Sequence, residues 1–299
     1  MNGPQIAWLA DGKRLHLNHG PIDLIVEAFG RDAERRRACE AAIARFGTML
    51  TELVAELAEL RQPVGAKLRH LAGSTARRME VAAQKFHPEF ITPMAAVAGA
   101  VADEMMAAMV AAAPLTRAYV NNGGDIALTL QPGRSFEVGW VVDPVRRYRD
   151  RDVAVDGMFS ITADLPVRGI ATSGWRGRSL SLGIADSVTV LAATGAAADA
   201  AATMIANAVN VESPLVVRRR ACDVADDTDL GERLVTCDVG PLPPELIDVA
   251  LDAGAHEAER HRAAERIWAA AIRLQRRTRV IGPIDVAQSP RLRSVDGFV

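Results

Sequence analysis

Cysteine is scarce in this chain of 299 residues: Cys39, Cys222 and Cys237 are widely spaced, and none forms a Cys-x-x-Cys pair. That excludes a disulfide framework and a zinc knuckle, and leaves reduced or buried thiols of the kind expected in a cytoplasmic protein. A surplus of either charge is also missing. With 35 basic and 37 acidic residues the formal net charge is −2, so no global basic field exists to hold nucleic acid or an anionic membrane. Anion recognition must therefore be local. An uninterrupted apolar run of about 20 residues, the length of a membrane span, is lacking as well. The nearest approach, Ile91 to Ala113, is interrupted by Asp103-Glu104 and is expected to be a buried helix. Met1 to Ala10 shows neither the basic start nor the apolar stretch of a secretion signal. No internal repeat and no low-complexity linker divides the chain, so one domain over residues 1–282 with an irregular Pro- and Ser-containing tail over 283–299 is expected.

What is present is a hydrophobic content of 49%, enough for a substantial core. Ile6 to Ala10 and Arg14 to Asn18 flank Asp11-Gly12, which predicts a hairpin, with a further strand near Ile22 to Phe29. The period then changes. From Arg31 to Leu60 apolar positions recur at three-to-four spacing, an amphipathic helix with a break expected near Gly47. Ala76 to Gln84 reads as another short helix, and Pro93 opens an Ala-, Val- and Met-rich central helix running to Ala113. Strand-like runs follow at Arg117 to Val120, Ile126 to Leu130, Phe136 to Val142, Met158 to Thr162, Gly169 to Thr172, Ser179 to Ile184 and Ser187 to Ala193. Short turns between them favour antiparallel pairing, and the class is α+β, antiparallel sheet packed with helices. Arg146 to Asp152 reads as a solvated charged connection. Leu215 to Val217 and Val235 to Val239 read as strands, and Pro244 to Ala253 and Glu257 to Gln275 as helices. The carboxylates Asp223, Asp226, Asp227 and Asp229 lack the glycine and glutamate of an EF-hand loop and read as a solvated segment. His256 and His261 are five apart, out of alignment for one metal.

Three short segments carry chemistry. In Ala198-Asp199-Ala200-Ala201-Ala202-Thr203 a carboxylate and a hydroxyl stand one helical turn apart, just after a strand. Both are hard oxygen donors suited to magnesium; the competing reading has Thr203 bonding back to its own helix and Asp199 favouring the positive helix end. Asn121-Asn122-Gly123-Gly124-Asp125 lies between two strands, where the glycines let a ligand approach the main chain or simply make a hairpin turn. Ala171-Thr172-Ser173-Gly174, followed by Trp175-Arg176-Gly177-Arg178, offers hydroxyls and guanidinium groups that suit a phosphate. Neither a Gly-x-Ser-x-Gly elbow nor a Walker loop is present, which removes hydrolase and P-loop readings.

In this order, Gly-Gly-Asp, Thr-Ser-Gly, and an Ala-Asp-Ala-x-Ala-Thr helix preceded by Val188-Thr189-Val190, the segments resemble the ApbE superfamily of flavin transferases, which move FMN from FAD onto a protein threonine. A closer resemblance is to uncharacterised protein family 0280, an ApbE-like family. It rests on Thr92-Pro93-Met94 through Asp103-Glu104, on Ile170 to Gly174 continuing to Asp186, and on Asp229-Leu230-Gly231. The resemblance implies magnesium on Asp199 and Thr203, and a ligand-lining role for Gly123, Gly124, Thr172, Ser173 and Gly174, with FAD or a related flavin or nucleotide as the small-molecule partner; Asn122 and Asp125 offer side-chain hydrogen bonds to such a ligand at the same turn. It also shows a departure. The histidine and the Asp-Pro-x-Thr-Gly element that ApbE enzymes carry after Thr-Ser-Gly are absent between Trp175 and Asp186. Asp186 is then the remaining candidate for proton handling, or a strand-end turn residue. Two functions follow: a transferase of ApbE type, or a non-catalytic accessory protein that keeps the pocket, with sulfur and homocysteine metabolism suggested by relatives in methane-producing archaea. Ala-rich helices suit a core or a homodimer interface equally.

Overall fold

Asp11 begins the chain's first turn by accepting the N–H groups of Lys13 and Arg14 at 2.9 and 3.0 Å, with Gly12 at φ +65°. The computed structural model describes residues 3–140 and 157–284. The turn joins β1 (Gln5–Trp8) to β2 (Leu15–His19), and β3 (Ile22–Phe29) follows. Alternation is clear in β3, where Ile22, Leu24, Val26 and Ala28 point to the core. Then come α1 (Asp32–Ala55), α2 (Leu57–Leu60), α3 (Ser74–Gln84), a 3-10 turn Pro93–Ala96 and α4 (Val97–Ala112). Strands β4 (Arg117–Asn122), β5 (Asp125–Leu130), β6 (Ser135–Trp140), β7 (Gly157–Thr162), β8 (Gly169–Ser173) and β9 (Ser187–Ala192) lead to α5 (Gly195–Ala208). The chain continues through β10 (Val216–Arg220), β11 (Leu234–Val239), α6 (Pro244–Ala263), β12 (Ala269–Leu274) and β13 (Arg277–Ile281).

The main sheet has nine strands in the order β1-β2-β3-β4-β5-β8-β9-β12-β13, and every pair described is antiparallel. This is the α+β class expected from closely spaced strands. Both faces of the centre are covered. On one side α4 and α5 lie against β4, β5, β8 and β9, with Met105, Met109, Ala201 and Ile205 buried against Val120, Ala171 and Val190. On the other, the hairpin of β6 and β7 sets Phe136, Val138 and Ile161 over Tyr119, Leu128 and Ile170. Helix α4, with the turn before it, is long and apolar enough by length and composition to cross a membrane. In this structure it packs between α1, α3, α5 and the sheet.

Three sequence expectations are corrected. No break occurs at Gly47, because α1 passes through it and ends at Ala55, with Glu56 as its C-cap; one exposed glycine weakens a helix by only about 1 kcal/mol. Ser179 to Ile184 forms no strand. Instead Gly183 is pressed against the end of α5, where an added Cβ would stand 1.9 Å from Ala206 O, and Ile184 donates to Val209 O at 2.8 Å. The helix expected over Glu257 to Gln275 is also replaced. Helix α6 runs from Pro244 to Ala263, and Ala269-Ala270-Ala271-Ile272 becomes β12, buried between β9 and β13. Burial in a sheet overrides the helical preference of alanine here. The hairpin turn uses Gln275 and Arg276 at φ +41° and +69°, without the glycine or asparagine that would mark it in sequence. The expected loop Arg146 to Asp152, the end of the Phe136 to Val142 run and tail residues 285–299 lie outside the described residues.

Candidate functional site

Two glycines bring the N-terminal ends of α4 and α5 together. A Cβ on Gly99 would lie 2.2 Å from Gly195 O, and one on Gly195 would lie 2.8 Å from Gly99 O, so the backbones touch there. Four residues after each glycine, one helical turn on, stands an aspartate. Each caps the other's helix. Asp103 of α4 accepts the N–H groups of Gly195 and Ala196, both at 2.8 Å, and Asp199 of α5 accepts the Gly99 N–H at 3.0 Å. These donors are helix-end N–H groups with no partner in their own helix, at the positive end of the helix dipole. Thr194 completes the end of α5 by accepting the Ala197 N–H at 3.1 Å.

Asp199 faces a second carboxylate across this junction. Asp125, the first residue of β5, accepts the Thr172 N–H from the end of β8 at 3.2 Å. Each aspartate is half-buried as a residue, yet surrounded closely enough for loss of water to dominate. Burial raises the Asp125 pKa to about 7, against the lowering effects of the Thr172 N–H and the Arg178 charge. Burial, and then the Asp125 charge, push Asp199 well above the usual carboxylate range despite the Gly99 and Ala98 N–H groups. Burial raises Asp103 too, opposed by its two helix N–H donors. A pair of enclosed like charges of this sort is relieved by a proton or by a hard cation.

The other residues singled out in the sequence gather around the pair. Gly123 and Gly124, at φ +65° and +115°, make the two-residue turn between β4 and β5, with Asn122 opposite Asp125. Asn122 is buried and donates to Ala98 O at 3.2 Å, which ties the turn to the start of α4. Thr172 Oγ1 shares a hydrogen with Thr189 Oγ1 at 2.9 Å, and Ser173 is half-buried at the end of β8. Gly174 passes so near the chain that a Cβ would stand 2.5 Å from Asp186 O. Thr203, one turn beyond Asp199, forms no side-chain hydrogen bond among the described residues, neither back to its own helix nor elsewhere. Asp199 and Thr203 both carry hard oxygens and stand four residues apart on α5, one helical turn. Among the described residues no three His, Cys, Asp or Glu side chains converge on a metal position.

Asp186 has a different setting. Its Oδ1 accepts Arg176 Nε at 2.8 Å and Trp175 Nε1 at 3.3 Å, and its Oδ2 accepts the Gln275 N–H at 2.7 Å. It ties β8's exit to the β12–β13 turn, as a structural residue would. Three carboxylates of the acidic segment are paired: Asp223 with Arg220, Asp227 with Arg61, and Asp229 with the Thr92 hydroxyl. That last contact joins two of the segments that carry the family resemblance, at the turn leading into α4. In the sequence Asp103 stands only as a break in an apolar run and as part of a segment of the family resemblance, with no role at the site. Its signal was available, since Gly99 to Asp103 and Gly195 to Asp199 share a Gly-x-x-x-Asp spacing in small-residue helices.

Comparison with known proteins gives the family of the chain. The family described as AbpE bacteria matches over residues 6–280. The chain is 36% identical to a UPF0280 protein of Methanopyrus kandleri over 60% of this chain and 70% of that protein. It is 32% identical to a UPF0280 protein of Methanothrix thermoacetophila over 56% of this chain and 67% of that one. Among solved structures, the ApbE protein of Thermotoga maritima aligns with 70% of this chain and 87% of its own at 14% identity, with a TM-score of 0.43. The chain belongs to the UPF0280 family of ApbE-like proteins.

Proposed function

We propose that this protein binds a flavin or another nucleotide, FAD being the leading candidate, together with magnesium at Asp199, Asp125 and Thr203. The observation that carries the reading is the enclosed Asp125–Asp199 pair: burial and then the Asp125 charge raise the Asp199 pKa, and burial raises Asp125 against the Thr172 N–H and the Arg178 charge. Magnesium bound there would neutralise charge on a phosphate-bearing ligand. The protein's own groups do the rest. The Gly123-Gly124 turn leaves room at the main chain, while Asn122 and the caps of Asp103 and Asp199 hold strand and helices in fixed relation.

The setting favours binding over flavin transfer. No histidine hydrogen-bonds to Asp125, Asp199, Thr172 or Ser173 among the described residues, and the Asp186 carboxylate is occupied by three donors. A proton acceptor of the kind that transfer needs is thus not evident among these groups. This supports, as a second reading, an accessory protein that keeps the ligand pocket without the transfer chemistry, with sulfur and homocysteine metabolism as its suggested setting. The test is calorimetric titration of FAD with and without magnesium, alongside absorbance of any ligand extracted from the purified protein. Magnesium-dependent FAD binding that is lost in Asp199→Ala supports the proposal. A colourless protein that fails to bind FAD with magnesium overturns it. Incubation with FAD, magnesium and a threonine-containing acceptor separates the two readings, because transfer releases AMP and leaves FMN bound covalently to the acceptor, whereas hydrolysis of FAD would leave free FMN.

A further inference from the structure

The two guanidinium groups that follow Thr172-Ser173-Gly174 have separate fates. Arg176 is committed to the scaffold, since it pairs with Asp186 at 2.8 Å and lies 4.6 Å from the centre of the Trp175 ring. Arg178 forms no ion pair or hydrogen bond among the described residues, yet it is specifically placed. Its Nη2 fills the space over Gly123, 2.1 Å from where a Cβ would stand. Any side chain at position 123 would displace it, and the φ of +65° there favours glycine in any case. Arg178 is exposed and close enough to Asp125 to act on its charge, without being hydrogen-bonded to it. A guanidinium that served Asp125 as a structural partner would form the usual paired hydrogen bonds with it.

The result is a free planar cation held against a glycine turn, beside two carboxylates that together suit a divalent cation. That combination fits a ligand which carries both charges: a cation for the aspartates and anionic oxygens for the arginine. A metal-chelated diphosphate is such a ligand. We propose that Arg178 is the anion-binding residue of this site, gripping phosphate oxygens of a magnesium diphosphate, and that Gly123 is glycine so that the guanidinium can lie against the turn. The inference deepens the nucleotide-binding reading and rests on the same site, but it concerns the diphosphate alone.

Inorganic pyrophosphate with excess magnesium is therefore the probe, titrated calorimetrically into the full chain and into Arg178→Gln, Arg178→Lys and Gly123→Ala. Removing one charge-assisted hydrogen-bonding partner should weaken binding by roughly 10- to 100-fold in Arg178→Gln. Arg178→Lys should recover only part, because lysine keeps the charge and loses the fork. Gly123→Ala should weaken binding as well, by displacing the guanidinium. The melting temperature of Arg178→Gln without ligand should match that of the unmodified protein, since the side chain is exposed and unpaired among the described residues. Equal binding by the unmodified protein and Arg178→Gln overturns the inference, and so does an absence of magnesium pyrophosphate binding to the unmodified protein. A parallel titration with FAD keeps the two proposals apart. Arginine-dependent pyrophosphate binding without FAD binding upholds Arg178 and ends the flavin reading. FAD binding of equal strength in both proteins does the reverse.

Discussion

Replacing Gly99 by alanine adds one methyl group, and its position is defined. The new carbon would lie 2.2 Å from Gly195 O, 2.3 Å from Gly195 C and 2.7 Å from Ala196 N, all main-chain atoms of the adjacent helix. Carbon contacts settle near 3.5 to 4 Å, so α4 and α5 must separate by about 1 Å or more. Overpacking of this kind costs about 1–3 kcal/mol. Separation also stretches the bonds from Asp103 to the Gly195 and Ala196 N–H groups and from Asp199 to the Gly99 N–H, now 2.8, 2.8 and 3.0 Å. Weakening these charge-assisted bonds adds roughly 1–3 kcal/mol, while alanine's better helix propensity returns about 1 kcal/mol. The expected net loss is about 1–5 kcal/mol, read by urea or thermal denaturation of Gly99→Ala. Gly47→Ala is the internal control. It also lies inside a helix, but its Cβ would meet nothing within 4 Å, so it should stabilise by about 0.5–1 kcal/mol. A Gly99→Ala protein as stable as the unmodified one would refute the helix contact and the reciprocal capping built on it.

Thr203→Val removes a hydroxyl that bonds to nothing else among the described residues. It should weaken magnesium-dependent FAD binding while the ligand-free melting temperature stays nearly constant; a large loss of ligand-free stability would mark the threonine as structural. His261 gives a pH-dependent expectation. It is fully buried, with Nε2 2.8 Å from Glu257 Oε1 and Nδ1 3.3 Å from Arg266 Nη1. An arginine can only donate, so Nδ1 accepts and the neutral ring carries its hydrogen on Nε2, which lies near Glu257 Oε1 without a hydrogen-bond partner among the described residues. Burial, with Arg266 adding to it, lowers its pKa to about 4. The unfolded chain, with histidine near its usual value of about 6.5, then binds more protons between those limits. This residue's contribution to stability therefore rises with pH from about 4 to 6.5. Urea denaturation across that range should show the slope reduced in His261→Gln, and an unchanged slope would contradict a neutral buried histidine.

Hairpins were legible where turn chemistry is strong. Asp11-Gly12 and Gly123-Gly124 each lie in the turn between a strand and its antiparallel neighbour, with Gly12, Gly123 and Gly124 at positive φ. The corrections fall where burial, which no local pattern records, outweighed propensity. Ala269-Ala270-Ala271 looks helical by itself and becomes a strand because β9 and β13 stand on either side. Arg176 and Arg178 are equivalent in sequence; only the position of Asp186 and of the Gly123 turn makes one a scaffold contact and leaves the other unpaired among the described residues.

By itself the sequence determined the α+β class, the antiparallel strand run, and the three short segments that carry the family resemblance, because turn residues, alternation and motif order are local properties. Tertiary structure alone decided that those segments meet. It set Asp125 of one strand opposite Asp199 of a helix, and made Asp103 the partner cap that holds that helix in place. Electrostatic repulsion and backbone contact depend on distance in space, and residues about one hundred positions apart in the chain have no such distance until the two glycines let their helices touch.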